Sequence, residues 1–160
     1  MNNAEIGLKF IHYTKTYNFH ISKTIHAPLR FVYDWCTDYR ETDPKLTGSE
    51  SKRKILLRTK RRVVYVETYR SRGKSTKAVD VVTLFPPKGW HLDYVSDEDD
   101  EVGDYALSSL GLRKTRIDLT FLEHFKIAHA PSKKRYASMV SQVWDKYVEA
   151  LQKDYSRSKS

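Results

Sequence analysis

Cysteine and long apolar runs are the two features that this chain of 160 residues most clearly lacks. The single Cys36 excludes an internal disulfide and indicates a reducing compartment, because disulfides persist mainly in oxidising environments. No apolar run approaches the roughly 18–20 residues that a membrane-spanning helix needs. Residues 1–10 also lack the basic start and continuous apolar core of a signal peptide. We therefore expect a soluble intracellular protein, located in the cytoplasm.

Motifs that would hold a metal, a cofactor or a phosphate group are missing as well. The sequence contains no HExxH and no CxxC pattern, which argues against the common zinc arrangements. Gly73-Lys74-Ser75 resembles only the tail of a phosphate-binding loop and is more typical of a hairpin turn. No nucleophile stands in a recognisable elbow, and Cys36 on a short apolar segment is typical of a small buried side chain. We therefore expect no metal and no cofactor.

Positive charge is in excess, with a formal net charge of +9, and it is unevenly distributed. The basic cluster is defined here as residues 52–62, whose cations are Lys52, Arg53, Lys54, Arg58, Lys60, Arg61 and Arg62. It could meet nucleic acid, an anionic lipid surface or the acidic face of a partner, or it could be a solvated hairpin. Because no aromatic residue is interleaved with these cations, we expect at most weak contact with anionic surfaces and no specific nucleic acid.

Between Tyr17 and Lys126 the chain alternates apolar and polar residues with a period of two, which predicts strands with one dry face. The first strand is expected at Tyr17–Ala27. Pro28 ends it, and apolar residues at helical spacing then predict two short helices before the second strand. Six further strands follow, and their short connections predict antiparallel neighbours. Residues 97–102, which are mostly acidic, are expected to form a loop.

A long amphipathic helix is predicted at Ser132–Tyr155, with Ser132 as its N-cap. Its apolar stripe, which should face the sheet, consists of Tyr136, Met139, Val140, Val143, Tyr147, Val148 and Leu151. One long helix beside one large sheet must cover that sheet. The predicted organisation is an N-terminal extension (1–15), a single domain (16–155) and a disordered tail (156–160).

The element order resembles that of the START-related helix-grip superfamily, which includes polyketide cyclases, lipid-transfer domains and coenzyme Q-binding proteins. The local match is Ile25-His26-Ala27-Pro28, followed by Val32-Tyr33-Asp34-Trp35 and Asp38. In that superfamily an apolar-x-Ala-Pro turn commonly leads from strand one into the first small helix. The resemblance implies an α+β helix-grip fold over about residues 17–155: a seven-stranded antiparallel sheet wrapped around a long C-terminal helix, two short helices between strands 1 and 2, and an apolar tunnel. It implies no particular reaction.

A ligand cavity is expected because seven strands about 4.8 Å apart span about 30 Å, whereas a helix is only about 10 Å wide. We predict a cavity of a few hundred Å³. Its expected ligand-binding residues are Phe19, Ile21, Val64, Val66, Trp90, Leu92, Tyr94, Leu119, Phe121, Glu123, Met139, Val143 and Tyr147. The register of the third strand is ambiguous, and we favour Val64 and Val66 over Tyr65, Glu67 and Tyr69 as the inward-facing residues.

Glu123 is the candidate catalytic residue, because it shares the dry face of the last strand with Leu119 and Phe121. Burial without a partner would raise its pKa, and it could then anchor a ligand hydroxyl or act as an acid or base. The alternative is that Glu123 lies at a wet strand end or pairs with a base such as Lys23.

Three functions remain open at this level. The first is binding or transport of a hydrophobic or amphipathic small molecule, such as a lipid or an aromatic polyketide-like compound, in the internal cavity. The second is a cyclase/dehydratase-type enzyme that uses Glu123 and cavity tyrosines. The third is a basic interaction module that uses residues 52–62. The absence of any recognisable catalytic arrangement favours the first.

Overall fold

The computed structural model describes residues 12–160, so most of the predicted extension (1–15) lies outside the described residues. The strands are β1 (Lys15–Ile25), β2 (Lys52–Arg58), β3 (Arg62–Ser71), β4 (Lys74–Phe85), β5 (Gly89–Ser96), β6 (Asp99–Gly111) and β7 (Lys114–Phe125). The helices are α1 (Leu29–Cys36), a short 3-10 helix (Asp43–Thr47) and α2 (Lys133–Arg157). The strands form one seven-stranded antiparallel sheet in the order β1-β7-β6-β5-β4-β3-β2.

This architecture confirms the predicted α+β helix-grip fold. The two short helices between β1 and β2 are α1 and the 3-10 helix. Pro28 stands at the N-cap of α1, and Gly48 ends the 3-10 helix with a φ of 73°, a left-handed conformation that glycine adopts without strain. No helix within residues 12–160 is long and apolar enough to cross a membrane.

The inner face of the sheet, defined as the face that packs against the helices, carries the core in rows that cross the strands. One such row is set by the strand pairing and consists of Leu84, Trp90, Tyr105, Leu119 and Ile21. Trp144 of α2 lies over this row, with its ring centroid 5.7 Å from that of Tyr105. The alternation in the sequence therefore places large apolar side chains directly beneath the long helix.

The inward register predicted for β3 is wrong. Val63 and Tyr65 are the buried residues of this strand, and they pair with Val82 and Asp80 of β4. Since side chains alternate along a strand, Val64 and Val66 lie on the outer face. The inward position of Tyr65 is stabilised by its neighbours, since it pairs with Asp80 and its ring lies 4.3 Å from the Arg53 guanidinium carbon.

The predicted stripe of α2 is also partly wrong, because Met139 and Val143 are 49% and 37% exposed. The residues of α2 that pack on the core are Tyr136, Ala137, Val140, Trp144, Val148, Leu151 and Tyr155. The helix is rotated from the predicted orientation so that Trp144, its largest side chain, meets the sheet. The Ser132 side chain caps the helix by accepting a hydrogen bond from the Arg135 backbone N–H.

The C-terminal boundary differs slightly from expectation. Helix α2 runs to Arg157, so two residues of the predicted disordered tail, Ser156 and Arg157, are helical. The division into an extension, one domain and a tail otherwise stays a prediction.

Candidate functional site

A cavity of about 180 Å³ lies between the inner face of the sheet, α1, the 3-10 helix and α2. It is called the aromatic cavity here, and its lining consists of Trp35, Cys36, Tyr39, Asp43, Leu46, Arg53, Tyr65, Trp90, Leu92, Tyr105, Trp144 and Tyr147. Its volume is smaller than the few hundred Å³ expected from the sequence. Large aromatic side chains fill much of the space that the helix leaves uncovered.

Aromatic rings dominate the cavity wall, since seven of the twelve lining residues are Trp or Tyr. Trp90 and Tyr105 stack with ring centroids 4.8 Å apart and an interplanar angle of 13°. Trp144 packs against this stack from the helix side, with its ring centroid 5.7 Å from that of Tyr105. Flat walls of this kind favour a flat, largely apolar ligand, because offset stacking adds to the gain from burial.

Among residues 12–160, Arg53 is the one cation in the cavity lining, and its side chain is only 9% exposed. Its Nη2 lies 2.7 Å from Glu67 Oε1, its Nη1 lies 3.2 Å from Asp43 Oδ2, and its guanidinium carbon lies 4.3 Å from the centre of the Tyr65 ring. The sequence placed Arg53 in the solvent-facing basic cluster. Strand alternation in fact turns Arg53 and Ile55 inward and leaves Lys52 and Lys54 exposed.

Replacing this cation should cost stability. We expect Arg53→Leu to lower the free energy of unfolding by about 2–4 kcal/mol, because it leaves Glu67 partly buried without its partner and removes one of the two arginines that pair with Asp43. Lys54→Leu, one residue along the same strand but exposed, should change it by less than about 0.5 kcal/mol. Urea unfolding of both variants checks this, and equal effects would show that the Arg53 ion pairs contribute nothing.

A second feature of the inner face is a row of three acidic residues, called the carboxylate row, in which Asp80 and Glu123 are buried and Glu101 is half-buried. Strand pairing sets it in the order Tyr65, Asp80, Tyr94, Glu101, Glu123 and Tyr17. Asp80 is 4% exposed and Glu123 is fully buried. Neither Glu123 oxygen has a hydrogen-bond partner in the described part of the chain, and the same holds for Asp80 Oδ2. Tyr65 belongs to both this row and the aromatic cavity, so the two features adjoin.

Burial raises the pKa values of all three acids. For Asp80 it raises the pKa to about 8, and the negative charge of Glu67 adds to the effect. Burial is also the main cause of the raised pKa of Glu123, with the facing Glu101 as the second, and burial likewise raises the pKa of Glu101. Near neutral pH these groups therefore tend to hold protons and can act as hydrogen-bond donors. Within residues 12–160, no three His, Cys, Asp or Glu side chains are arranged to hold a metal ion.

The residues predicted for the site fall into distinct places. Trp90, Leu92 and Tyr147 line the aromatic cavity. Phe19, Ile21, Leu119 and Phe121 belong to the packed core of the inner face. Glu123 and Tyr94 lie in or beside the carboxylate row, and the Tyr94 hydroxyl lies 3.1 Å from that of Tyr69. Four residues that were predicted to face the cavity, Val64, Val66, Met139 and Val143, face away from it. Ligand contact by the other predicted residues stays a prediction.

Sequence reasoning missed Glu101 and several cavity aromatics. Glu101 was assigned to an acidic loop at 97–102, whereas β6 already begins at Asp99. The alternation of Glu101, Gly103, Tyr105 and Leu107 was the available signal, but the run of acidic residues concealed it. Trp35 and Tyr39 come from α1 and the segment after it, which only the folded chain brings against the sheet.

No protein-family model and no curated protein sequence matches this chain. Solved structures do match it. The Zhui aromatase/cyclase from Streptomyces sp. R1128 aligns with a TM-score of 0.70 at 14% identity, over 91% of this chain and 97% of that one. A START superfamily protein from Mycobacterium smegmatis gives 0.59 at 14%, over 88% and 97% of the two chains.

A third match extends the comparison to a plant protein. The ginseng major latex-like protein 151 from Panax ginseng gives a TM-score of 0.63 at 10% identity, over 85% of this chain and 97% of that one. All three matches cover nearly the whole of the matched chain. At such low identity the shared property is the fold, so this chain has a START-like helix-grip fold.

Proposed function

We propose that this START-like chain binds an amphipathic small molecule with an aromatic or otherwise flat apolar body in the aromatic cavity, for storage or transport. The observation that carries the proposal is the cavity itself, whose wall contains seven aromatic side chains and one buried cation. The names of the structural neighbours, which include an aromatase/cyclase and a START superfamily protein, support a ligand of this kind.

The polar groups of the cavity define where the polar end of the ligand would lie. Arg53 and Asp43 line the same part of the wall and form an ion pair. A hydroxyl or carbonyl oxygen placed there could accept a hydrogen bond from Arg53, and a hydroxyl could also donate one to Asp43. A volume of about 180 Å³ suits a one- or two-ring compound, since it lies below the range of about 300–1,000 Å³ for drug-sized ligands.

The proposal is tested with 2-naphthol, a fluorescent two-ring alcohol, and a variant that narrows the cavity. We expect Leu46→Trp to weaken naphthol binding by at least about tenfold, equivalent to ~1.4 kcal/mol, because a larger ring at this partly exposed lining position occupies the ligand's space. The matched control is Leu122→Trp on the outer face, where the leucine has the same 36% exposure as Leu46. Equal affinities for both variants, or no naphthol binding by the unmodified chain, would contradict the proposal.

A second candidate function is a cyclase/dehydratase-type enzyme. The carboxylate row favours it, because buried carboxyl groups with raised pKa values are typical general acids. None of the three acids lines the aromatic cavity, so a substrate would have to reach past Tyr65 to contact Asp80. For an enzyme, Asp80→Asn and Glu123→Gln should abolish turnover of a polyketide-like substrate while naphthol still binds. A carrier shows no turnover in either form.

We also propose a cytoplasmic location, which the single thiol of Cys36 supports. Burial raises the pKa of Cys36 and keeps it in the unreactive thiol form.

A further inference from the structure

The tips of the β2–β3 and β4–β5 hairpins enclose an open groove of about 790 Å³ that is separate from the aromatic cavity. It is called the hairpin groove here. Leu57, Phe85 and Pro86 contribute apolar surface to it, and Arg61, Arg62 and Lys88 contribute positive charge. These two kinds of side chain come from hairpins about 25 residues apart in the sequence, so only the fold brings them together.

The positions of the two arginines are fixed by the backbone. The Thr59 hydroxyl accepts hydrogen bonds from the backbone N–H groups of Arg61, at 3.3 Å, and Arg62, at 2.9 Å. The Arg61 carbonyl in turn accepts a hydrogen bond of 2.9 Å from the Leu84 backbone N–H. The turn is therefore tied to β4, and the cations are presented on an ordered surface.

The charge of the hairpin groove has a single sign. Arg61, Arg62 and Lys88 are all exposed, and residues 52–66 and 81–92 contain no Asp or Glu. The nearby Asp104, on β6, pairs with His91, whose Nδ1 lies 2.7 Å from Asp104 Oδ1. The binding surface therefore differs from the basic cluster that the sequence suggested. Of the seven cations of that cluster only Arg61 and Arg62 line the groove, and Lys88 joins them from the β4–β5 hairpin.

Large apolar side chains stand exposed among these cations. Leu57 is 46% exposed and Phe85 is 55% exposed. Cations beside protruding apolar groups match a phospholipid surface, which offers negative headgroups and an apolar layer beneath them. Nucleic acid fits less well, since it favours several stacking rings and Phe85 is the only aromatic side chain that the described part of the chain places in the groove.

We propose that the hairpin groove docks this chain onto an anionic phospholipid bilayer. Arg61, Arg62 and Lys88 meet the headgroups, and Leu57 and Phe85 enter the interface. This inference does not depend on the ligand of the aromatic cavity, because none of these residues lines that cavity.

Vesicle flotation tests the proposal with phosphatidylcholine vesicles and with vesicles containing about one third phosphatidylserine. We expect binding to the anionic vesicles alone, and weaker binding when salt is raised from about 0.1 M to about 1 M. The triple variant Arg61→Ser, Arg62→Ser and Lys88→Ser should bind about 100-fold more weakly, since each cation near an anionic surface contributes roughly fivefold. Phe85→Ser should lower binding by about tenfold while leaving the salt dependence unchanged.

The matched control removes the same charge elsewhere. Lys133→Ser, Lys134→Ser and Arg135→Ser replace three exposed cations at the start of α2 and should leave vesicle binding within about twofold. Unchanged circular dichroism and an unchanged thermal unfolding midpoint show that each variant is folded. An equal loss in the control would assign the effect to net charge and overturn the proposal. So would equal binding to neutral vesicles, or a duplex DNA that binds more tightly than the anionic vesicles and competes with them.

Discussion

Leu151→Asp should lower the free energy of unfolding by about 5 kcal/mol or more, enough to unfold most marginally stable domains. Leu151 is 1% exposed and is the one fully buried residue of α2. Truncating such a leucine alone costs about 2–5 kcal/mol, and a carboxylate placed there adds the cost of an unpaired buried charge. Circular dichroism during urea or thermal unfolding measures the loss.

Val143→Asp is the matched control, because it introduces the same charge into the same helix two turns earlier. Val143 is 37% exposed and does not belong to the packed core, so we expect a change of less than about 1 kcal/mol. The contrast tests the rotation of α2 directly. If both variants lost a similar amount of unfolding free energy, the helix would face the sheet with the apolar stripe predicted from the sequence. The position of Trp144 against the sheet would then be wrong.

Stability should fall by a few kcal/mol as the pH rises from about 5 to about 9. Burial raises the pKa values of Asp80, Glu101 and Glu123 in the folded chain, and for Asp80 the value is about 8. Between the unfolded pKa of about 4 and the raised folded value, the folded chain holds more protons than the unfolded chain. The stabilising contribution of these three acids is therefore complete below about pH 4. It is lost as the pH rises through the pKa values that the acids have in the folded chain.

Glu123→Gln isolates this effect, because an amide is neutral at every pH. Relative to the unmodified chain, the variant should have similar stability near pH 5 and should be more stable by about 2 kcal/mol or more near pH 9, since one pKa unit corresponds to about 1.36 kcal/mol. Glu149→Gln, on the exposed face of α2, is the control and should follow the unmodified chain at both pH values. A constant difference between Glu123→Gln and the unmodified chain across this range would show that Glu123 is ionised and solvated in the folded state.

Local pattern was enough to predict the order of the elements, because the period-two alternation and the Pro28 turn are encoded in short stretches. The resemblance of that order to the helix-grip superfamily then supplied the fold. It was not enough where two side chains competed for one face. In β3 the choice between Val64 and Tyr65 depends on the partner residue Asp80 and on Arg53, which lies over the Tyr65 ring. In α2 the apolar stripe is wide, so the pattern alone does not fix which side of the helix faces the sheet. The packing of Trp144 on Tyr105 fixes this rotation of the helix.

The candidate site was harder to predict than the fold for the same reason. Trp90, Leu92 and Tyr147 were predicted as cavity residues and do line the cavity, although their contact with a ligand stays a prediction. Arg53 and Glu101 were hidden within runs of like charge, which are usually solvated. Their inward orientation follows from strand alternation, but their burial depends on partners from other strands: Glu67 for Arg53 and Glu123 for Glu101.

The chain offers a direct test of ligand binding, because all three of its tryptophans, Trp35, Trp90 and Trp144, line the aromatic cavity. Their indole N–H signals can be followed by 15N-edited NMR during a titration with 2-naphthol. If the cavity binds the ligand, all three signals shift and fit one common Kd, and Leu46→Trp weakens that Kd while Leu122→Trp does not. Naphthol binding that leaves the three indoles unperturbed, or no binding up to the solubility limit of naphthol, would contradict the account.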